Sequence, residues 1–315
     1  MTYALILVVA ALAFPWGAAP VARRLAAGLR PREACWALAS AAVLMAGGTI
    51  AALIGLFQVP FLASLQHVSL PRVLAVWPAA VPVACAAALI MTVQAVLLVR
   101  RWARHRSLLG EAWLSAAGGA GDGDLLMLPD EDVDAFALPG HRGRPGRIVV
   151  TAGMARALEP VERAALLAHE RAHLSGRHHF LSLLTDLGAT VHPAVRGLRG
   201  PLDFHLERWA DEEAAAAVGD RKAVATAVAR AALAGAARPR GAGGGYPRLS
   251  VASGPVPRRV EALLLPEPAA PRGGARRAGA VGLAATVAVS ALAALALAYG
   301  LHEYVEYAAV AVRGR

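Results

Sequence analysis

The chain has 315 residues, of which 57% are apolar and only 17% charged. Soluble domains average about 25% charged residues, so an ordinary soluble protein is excluded, and a disordered chain is excluded except locally. The formal charge is +10, and the arginines mostly stand beside apolar runs, which favours topology signals at membrane spans over a nucleic-acid surface.

Four stretches reach the roughly 20 apolar residues that a helix needs to cross a bilayer. They are Tyr3–Ala22, Ala34–Phe57, Val73–Val99 and Ala278–Leu301. No charge precedes Arg23, so the first lacks the basic start of a secretory signal and is read as a retained span. Arg23, Arg24, Arg30 and Arg32 fill the first loop, whereas residues 58–72 contain only Arg72. Arg100, Arg101, Arg104 and Arg106 follow the third span, and Arg272, Arg276 and Arg277 precede the fourth. This asymmetry predicts a multi-pass cell-membrane protein with residues 100–277 in the cytoplasm. Both termini then lie outside, the last as a short tail over 302–315. Cys35 and Cys85 both fall in apolar runs and read as packing residues, leaving the polar part without a disulfide framework, a cysteine-based zinc finger or a cysteine nucleophile.

The polar part occupies 101–265, followed by a linker over 266–277. Gly118–Asp124 reads as a loop, and Leu125–Leu128 and Ile148–Thr151 as short strands around a Gly/Pro-rich turn region. A helix starts at Glu159-Pro160, with Pro in its first turn and Glu162 placed to suit the dipole. Further helices are predicted over Leu202–Val218, Ala223–Ala236 and about Arg258–Leu265. Ala237–Pro257, rich in Gly, Pro and Arg, is a linker.

The first of these helices carries His169-Glu170-Arg171-Ala172-His173. Residues four apart share a helix face, so both imidazoles can bind one zinc ion. Glu170 is placed to deprotonate a water at the open metal position. With ten His and thirteen Glu in the chain, this pattern is expected only about 0.01 times by chance. The apolar Ala-Leu-Leu-Ala before it also argues against a merely solvated face.

Two residues compete as third ligand. His179 completes a metzincin-like H-E-x-x-H-x-x-G-x-x-H pattern, but in an unbroken helix it lies about 9 Å along the axis from His173. All five methionines lie upstream, so the downstream methionine turn of metzincins is missing. Glu207, 34 residues after His173 on the next helix, closes a His/His/Glu site instead, and Asp211 one turn on can accept the other ring proton of a ligand histidine. The competing reading of Glu207, Asp211, Glu212 and Glu213 is a solvated acidic face. No G-x-S-x-G elbow and no P-loop lysine is present; Lys222, the sole lysine, follows Arg221.

With His169-Glu-x-x-His173 followed by Glu207…Ala210-Asp211, the chain resembles multi-pass membrane zinc metallopeptidases. It is similar to the HtpX-like and CAAX-prenyl-protease-like group and to the BlaR/MecR-type sensor peptidases. Ala135–Gly140 followed by Ile148–Thr151 also looks like the upstream hairpin of those families, whose strand would hold an extended substrate. The resemblance implies a mainly α membrane protein, with four transmembrane helices and a cytoplasmic α+β, gluzincin-like peptidase domain between spans three and four. It covers 120–265 well and the spans only by arrangement. Two departures stand out. The sequence ends at Arg315 without an extracellular penicillin-binding domain, and Asp203-Phe204-His205 occupies the place of an arginine common in HtpX-like enzymes. His205 is a candidate transition-state donor, or else a helix-surface histidine.

The expected function is a membrane-bound zinc endopeptidase acting on membrane or cytoplasmic regulatory proteins. One Zn²⁺ per chain is held by His169, His173 and Glu207, with Glu170 as general base and Asp211 behind His169. The alternatives are a proteolytic signal transducer that works with a partner sensor or repressor protein, and a non-catalytic membrane adaptor. Expected partners are a protein or peptide substrate and the lipid bilayer, with no nucleic acid. His178, His192, His105 and Asp186 read as structural or solvated. Phe180–Val195 is apolar enough to touch or re-enter the bilayer, although Asp186 argues against a fifth span.

Overall fold

A computed structural model describes residues 2–58, 60, 69–76, 78–236 and 255–266. The expected fourth span, Ala278–Leu301, and residues 237–254 of the linker lie outside the described residues. The apolar runs fold as helix, the form that satisfies backbone polar groups within one segment. Helix α1 covers Thr2–Ala27 and α2 covers Pro31–Phe57, with Pro31 and the acidic Glu33 in its first turn. Among the described residues, two helical stretches are long and apolar enough to cross a membrane, Pro31–Phe57 and Ala80–Gly118. They are used differently. Half of the apolar window of α2 is buried inside the protein, against 11% for the second stretch.

The run expected as one span over Val73–Val99 is split. A short helix α3, Leu70–Val76, precedes a turn at Pro78-Ala79, and α4 then runs from Ala80 to Ser115. Proline removes a helical hydrogen bond and clashes with the preceding turn, which accounts for the break. At the far end, Arg100–Arg106 do not stop the helix. Arginine is a good helix former, and these guanidinium heads stay largely in solvent. At 36 residues α4 is about 54 Å long, well beyond a hydrocarbon core of about 30 Å, so it reaches into the polar part of the protein.

There it meets a three-stranded sheet of order β1-β3-β2: β1 Leu125–Leu128, β2 Ala135–Leu138 and β3 Arg147–Thr151. β3 runs parallel to β1 and antiparallel to β2, with Ala137 opposite Ile148. Alternation divides the side chains between two faces. Phe136, Leu138, Val149 and Leu128 pack on Ala112 and Ala116 at the end of α4. Ala135, Ile148 and Val150 face Met154, Leu158 and Leu166. Those last residues belong to or border α5, Ala152–Ala157, and α6, Pro160–Ser175. Glu159 and Glu162 form a capping box at the start of α6.

Helices α7 (His178–Val191), α8 (Arg199–Val218), α9 (Arg221–Ala236) and α10 (Val256–Leu264) complete the described chain. Leu38 and Met45 of α2 share one core cluster with Leu181 of α7 and Leu202 and Trp209 of α8. Gly188 lets α7 lie close to the middle of α2, since a Cβ there would sit 3.1 Å from the Ala42 carbonyl oxygen. Gln94 of α4 donates to the Val191 carbonyl at 3.0 Å, Arg101 donates to the Asp186 carbonyl, and the His192 ring lies 3.0 Å from the Leu12 carbonyl. The Phe180–Val195 segment is therefore held by α1, α2 and α4 together.

A second close approach fixes the start of α5. A Cβ on Gly153 would fall 2.2 Å from the Glu131 carbonyl oxygen and 2.5 Å from that of Asp132. Both atoms are backbone and cannot swing aside. Gly153→Ala is expected to lower stability by about 1–3 kcal/mol. Chemical denaturation of the purified protein checks this, and an alanine variant as stable as the parent would show that the approach is not tight.

Candidate metal centre

The three chain segments that build the site meet because α6, α8 and α10 each bury one polar stripe. In α6, His169 and Glu170 are buried and His173 partly so. Against them α8 turns Glu207 and Asp211, one turn apart and both buried. His169 Nε2 lies 3.1 Å from His173 Nε2 and 3.6 Å from Glu207 Oε2, and His173 Nε2 is 3.7 Å from Glu207 Oε1. One ligand atom from each of the three residues falls within 4.8 Å of the other two. Among the described residues this is the one group of three His, Cys, Asp or Glu side chains arranged to hold a metal ion.

The neighbours of these atoms show which lone pairs face inward. His169 Nδ1 is 3.1 Å from Asp211 Oδ1, an ion-pair distance without hydrogen-bond alignment, and a neutral His169 with its proton on Nδ1 would leave Nε2 as an acceptor. His173 Nδ1 is 2.8 Å from His178 Nδ1, which likewise leaves its Nε2 facing the cluster. Two inward imidazole nitrogens with a carboxylate oxygen form an N,N,O set that suits zinc. The donors therefore fit a divalent cation.

A fourth group completes the charge balance. Arg259 of α10 is fully buried. Its Nε and Nη2 donate to both oxygens of Asp211 at 2.9 and 2.6 Å, and its Nη1 lies 2.8 Å from Glu207 Oε2. The sequence predicts a helix near Arg258–Leu265 but points to no role for Arg259. An arginine on a short helix beyond a linker carries no spacing signal toward residues 207 and 211. His178 reads from the sequence as structural or solvated, and its position against His173 depends on a bend that the sequence shows only as Gly176. The bend is real: α6 ends at Ser175, and Arg177 adopts a left-handed φ of 50° before α7 begins.

The competing third ligand, His179, does not join the group. It lines a cavity of about 690 Å³ with Arg171, Leu174, Arg177 and Phe180. His205 also lies apart. Its ring packs edge-on against Phe204 at 5.5 Å, and burial with the nearby Arg208 and Arg258 charges pushes it down to about 4. Two residues from Glu207 on a helix is a poor phase for sharing its face.

Electrostatics inside the cluster are strong. Burial alone pulls His169 toward neutrality, but Asp211 and Glu207 overcome it and raise its pKa to about 10. Burial and then the His169 charge push His173 down to about 3. For Glu207, burial acts upward and is outweighed by His169, His173 and Arg259, so its pKa falls. Asp211 is likewise held low, its burial offset chiefly by Arg259 and His169. Glu170 moves the other way. Burial, opposed by His169 and aided by Glu207, raises it to about 7. Its Oε1 is buried with no hydrogen-bond partner among the described residues, while the Ala137 backbone N–H of β2 donates to the carboxyl group.

Two outcomes follow for the protein stripped of metal. Replacing Arg259 by Met leaves Glu207 and Asp211 short of a cation and should cost about 3–5 kcal/mol in denaturant titration. The pH dependence has a fixed sign. The raised His169 contributes stability in full below 6.5 and loses it as pH climbs toward 10. Glu170 adds a cost that grows from 4.5 to about 7. Glu207 and Asp211, being lowered, lose their contribution as pH falls below their ordinary values of 4.5 and 3.8. The chelated protein should therefore melt at a lower temperature at pH 10 than at pH 6, and equal melting temperatures would contradict the pairing of His169.

Residues 105–196 match the model of Peptidase family M48, a segment that contains both motif histidines and Glu170 and stops before Glu207. No curated protein and no solved structure matches the chain. Over that segment the chain is similar to the M48 metallopeptidases, and the match agrees with the His169, His173 and Glu207 group in indicating a metallopeptidase.

Proposed function

We propose that the protein is a membrane-bound zinc endopeptidase that hydrolyses peptide bonds of membrane or cytoplasmic regulatory proteins. In this reading it stands with the HtpX-like, CAAX-prenyl-protease-like and BlaR/MecR-type enzymes. The observation that carries the proposal is the convergence of His169, His173 and Glu207, with Glu170 buried beside them and one of its oxygens unpartnered among the described residues.

His169, His173 and Glu207 would hold one Zn²⁺ per chain. Zinc bound there supplies Lewis acidity, polarising a peptide carbonyl and lowering the pKa of water toward about 7. Glu170 performs the proton transfers. Its Oε1 takes a proton from the attacking water and delivers it to the departing amine nitrogen. In the protein without a cation, burial raises Glu170 to about 7; a cation at the neighbouring ligands would favour its ionised form, the form that accepts a proton. The Ala137 N–H steadies that carboxyl group from the sheet side, and the Asp211 carboxylate stands 3.1 Å behind His169 Nδ1.

The anchoring follows from α2 and α4. Arg30 and Arg32 stand at the start of α2, and Arg100, Arg101, Arg104 and Arg106 follow the apolar stretch of α4, a pattern that supports a cytoplasmic side for both ends. The Arg32 guanidinium lies 5.5 Å over the Trp209 ring, and Trp209 is on the same helix as Glu207. The cluster therefore sits near the level at which α2 leaves the bilayer, and this favours substrate bonds close to the membrane.

Three variants of the full chain, purified in detergent, test this reading. Glu170→Gln should retain metal and slow cleavage of an unfolded protein substrate by about 10²- to 10⁴-fold. His173→Ala and Glu207→Gln should lose the metal as well as the activity. Undiminished cleavage by Glu170→Gln would refute its role as base, and full metal content in the other two would refute the ligand set.

A further inference from the structure

We infer that His178 is a positioning residue for the metal centre: its Nδ1 accepts a hydrogen bond from the Nδ1–H of His173, fixing the tautomer and the aim of the ligand nitrogen. This rests on the reading of His169, His173 and Glu207 as a metal site. The two Nδ1 atoms are 2.8 Å apart, a distance at which one must donate and the other accept. If His173 Nε2 is the ligand atom, its proton sits on Nδ1, so His178 Nδ1 is the acceptor and the second proton of the pair sits on His178 Nε2.

The surroundings hold His178 in that role. The residue is buried, and its ring is clamped edge-on to His173 at 4.6 Å and tilted against Trp209 at 4.6 Å. Trp209 is itself fixed, donating from Nε1 to Glu213 Oε1 at 3.1 Å, with Arg32 over its ring. His178 Nε2 is buried with no hydrogen-bond partner among the described residues. That burial has a cost, and the chain accepts it to bring Nδ1 to His173. Space for the ring comes from Gly176. A Cβ there would stand 2.5 Å from His178 Nε2 and 2.9 Å from the Ala172 carbonyl. His169 is supported by a carboxylate and His173 by a neutral ring, so the two ligands receive unequal support. A contact path also runs from Arg32, at the start of α2, through Trp209 and His178 to His173.

The test uses the full chain in detergent, with Zn²⁺ competed against a chromophoric chelator and Co²⁺ read by its visible d–d bands. His178→Phe, which keeps a ring but cannot accept, should bind Zn²⁺ about 10- to 100-fold more weakly and alter the cobalt bands. His178→Leu is the second apolar variant should the first misfold. His178→Asp, which accepts from the same N–H, should stay within a few-fold of the parent. Gly176→Ala, which evicts the ring without touching it chemically, should resemble His178→Phe. Parent-like affinity and cobalt bands in the apolar variants overturn the inference. So does equal weakening by Asp and Phe at matched melting temperatures, which would mean packing alone. A parent protein that binds neither ion overturns the metal-site reading itself, a result distinct from both.

Discussion

Three carboxylates buried in one place govern the middle of this protein. Glu170, Glu207 and Asp211 are each less than a tenth exposed, and an ionised carboxylate out of water costs several kcal/mol unless a cation meets it. The fold answers with Arg259 and with His169, which the two ionised acids Glu207 and Asp211 keep protonated to about pH 10. Everything nearby follows from that need. The α6–α8 pairing faces imidazole against carboxylate, and α10 is drawn onto α8 by its guanidinium as well as by Leu263 in the apolar cluster with Ala214.

What the sequence made legible is what depends on local period. A spacing of four puts His169 and His173 on one helix face whatever the rest of the chain does, and Glu207 and Asp211 repeat the argument on α8. The start of α6 was readable from Glu159, Pro160 and Glu162 because capping is settled within one turn. Strands β1 and β3 stood out as β-branched or leucine runs. The four residues of β2 are too few to show alternation and were suggested only through the family resemblance. Illegible from the residues were the effects that need three dimensions. The break at Pro78 and the continuation of α4 past Arg100 depend on where the helix is supported, and Arg259 and His178 reach the site through tertiary contacts with no fixed spacing.

The apolar helices and the polar site are one construction. α2 shares its core cluster with α7 and α8, so the helix that carries Glu207 and Asp211 leans on a helix long and apolar enough to span a bilayer. Trp209 sits in that cluster and touches His178 on its other side. A shift of α8 relative to α2 would therefore move the carboxylates and the support of His173 together. The apolar face of α4 has a different role. Leu89, Val96 and Val99 are exposed, an apolar surface left largely open among the described residues.

Charge accounting links this architecture to reactivity. In the metal-free protein the positive His169 and Arg259 offset the negative Glu207 and Asp211, and the set is balanced below about pH 7, where Glu170 is mostly protonated. A divalent cation held by His169, His173 and Glu207 requires His169 to give up its proton, since the lone pair must face the ion. That exchange leaves one surplus positive charge in a low-dielectric site. Glu170, held at about 7 rather than at an ordinary carboxylate value, is the group able to cancel it by ionising. On the proposed reading, occupation of the site by a cation and ionisation of Glu170 would be coupled through charge.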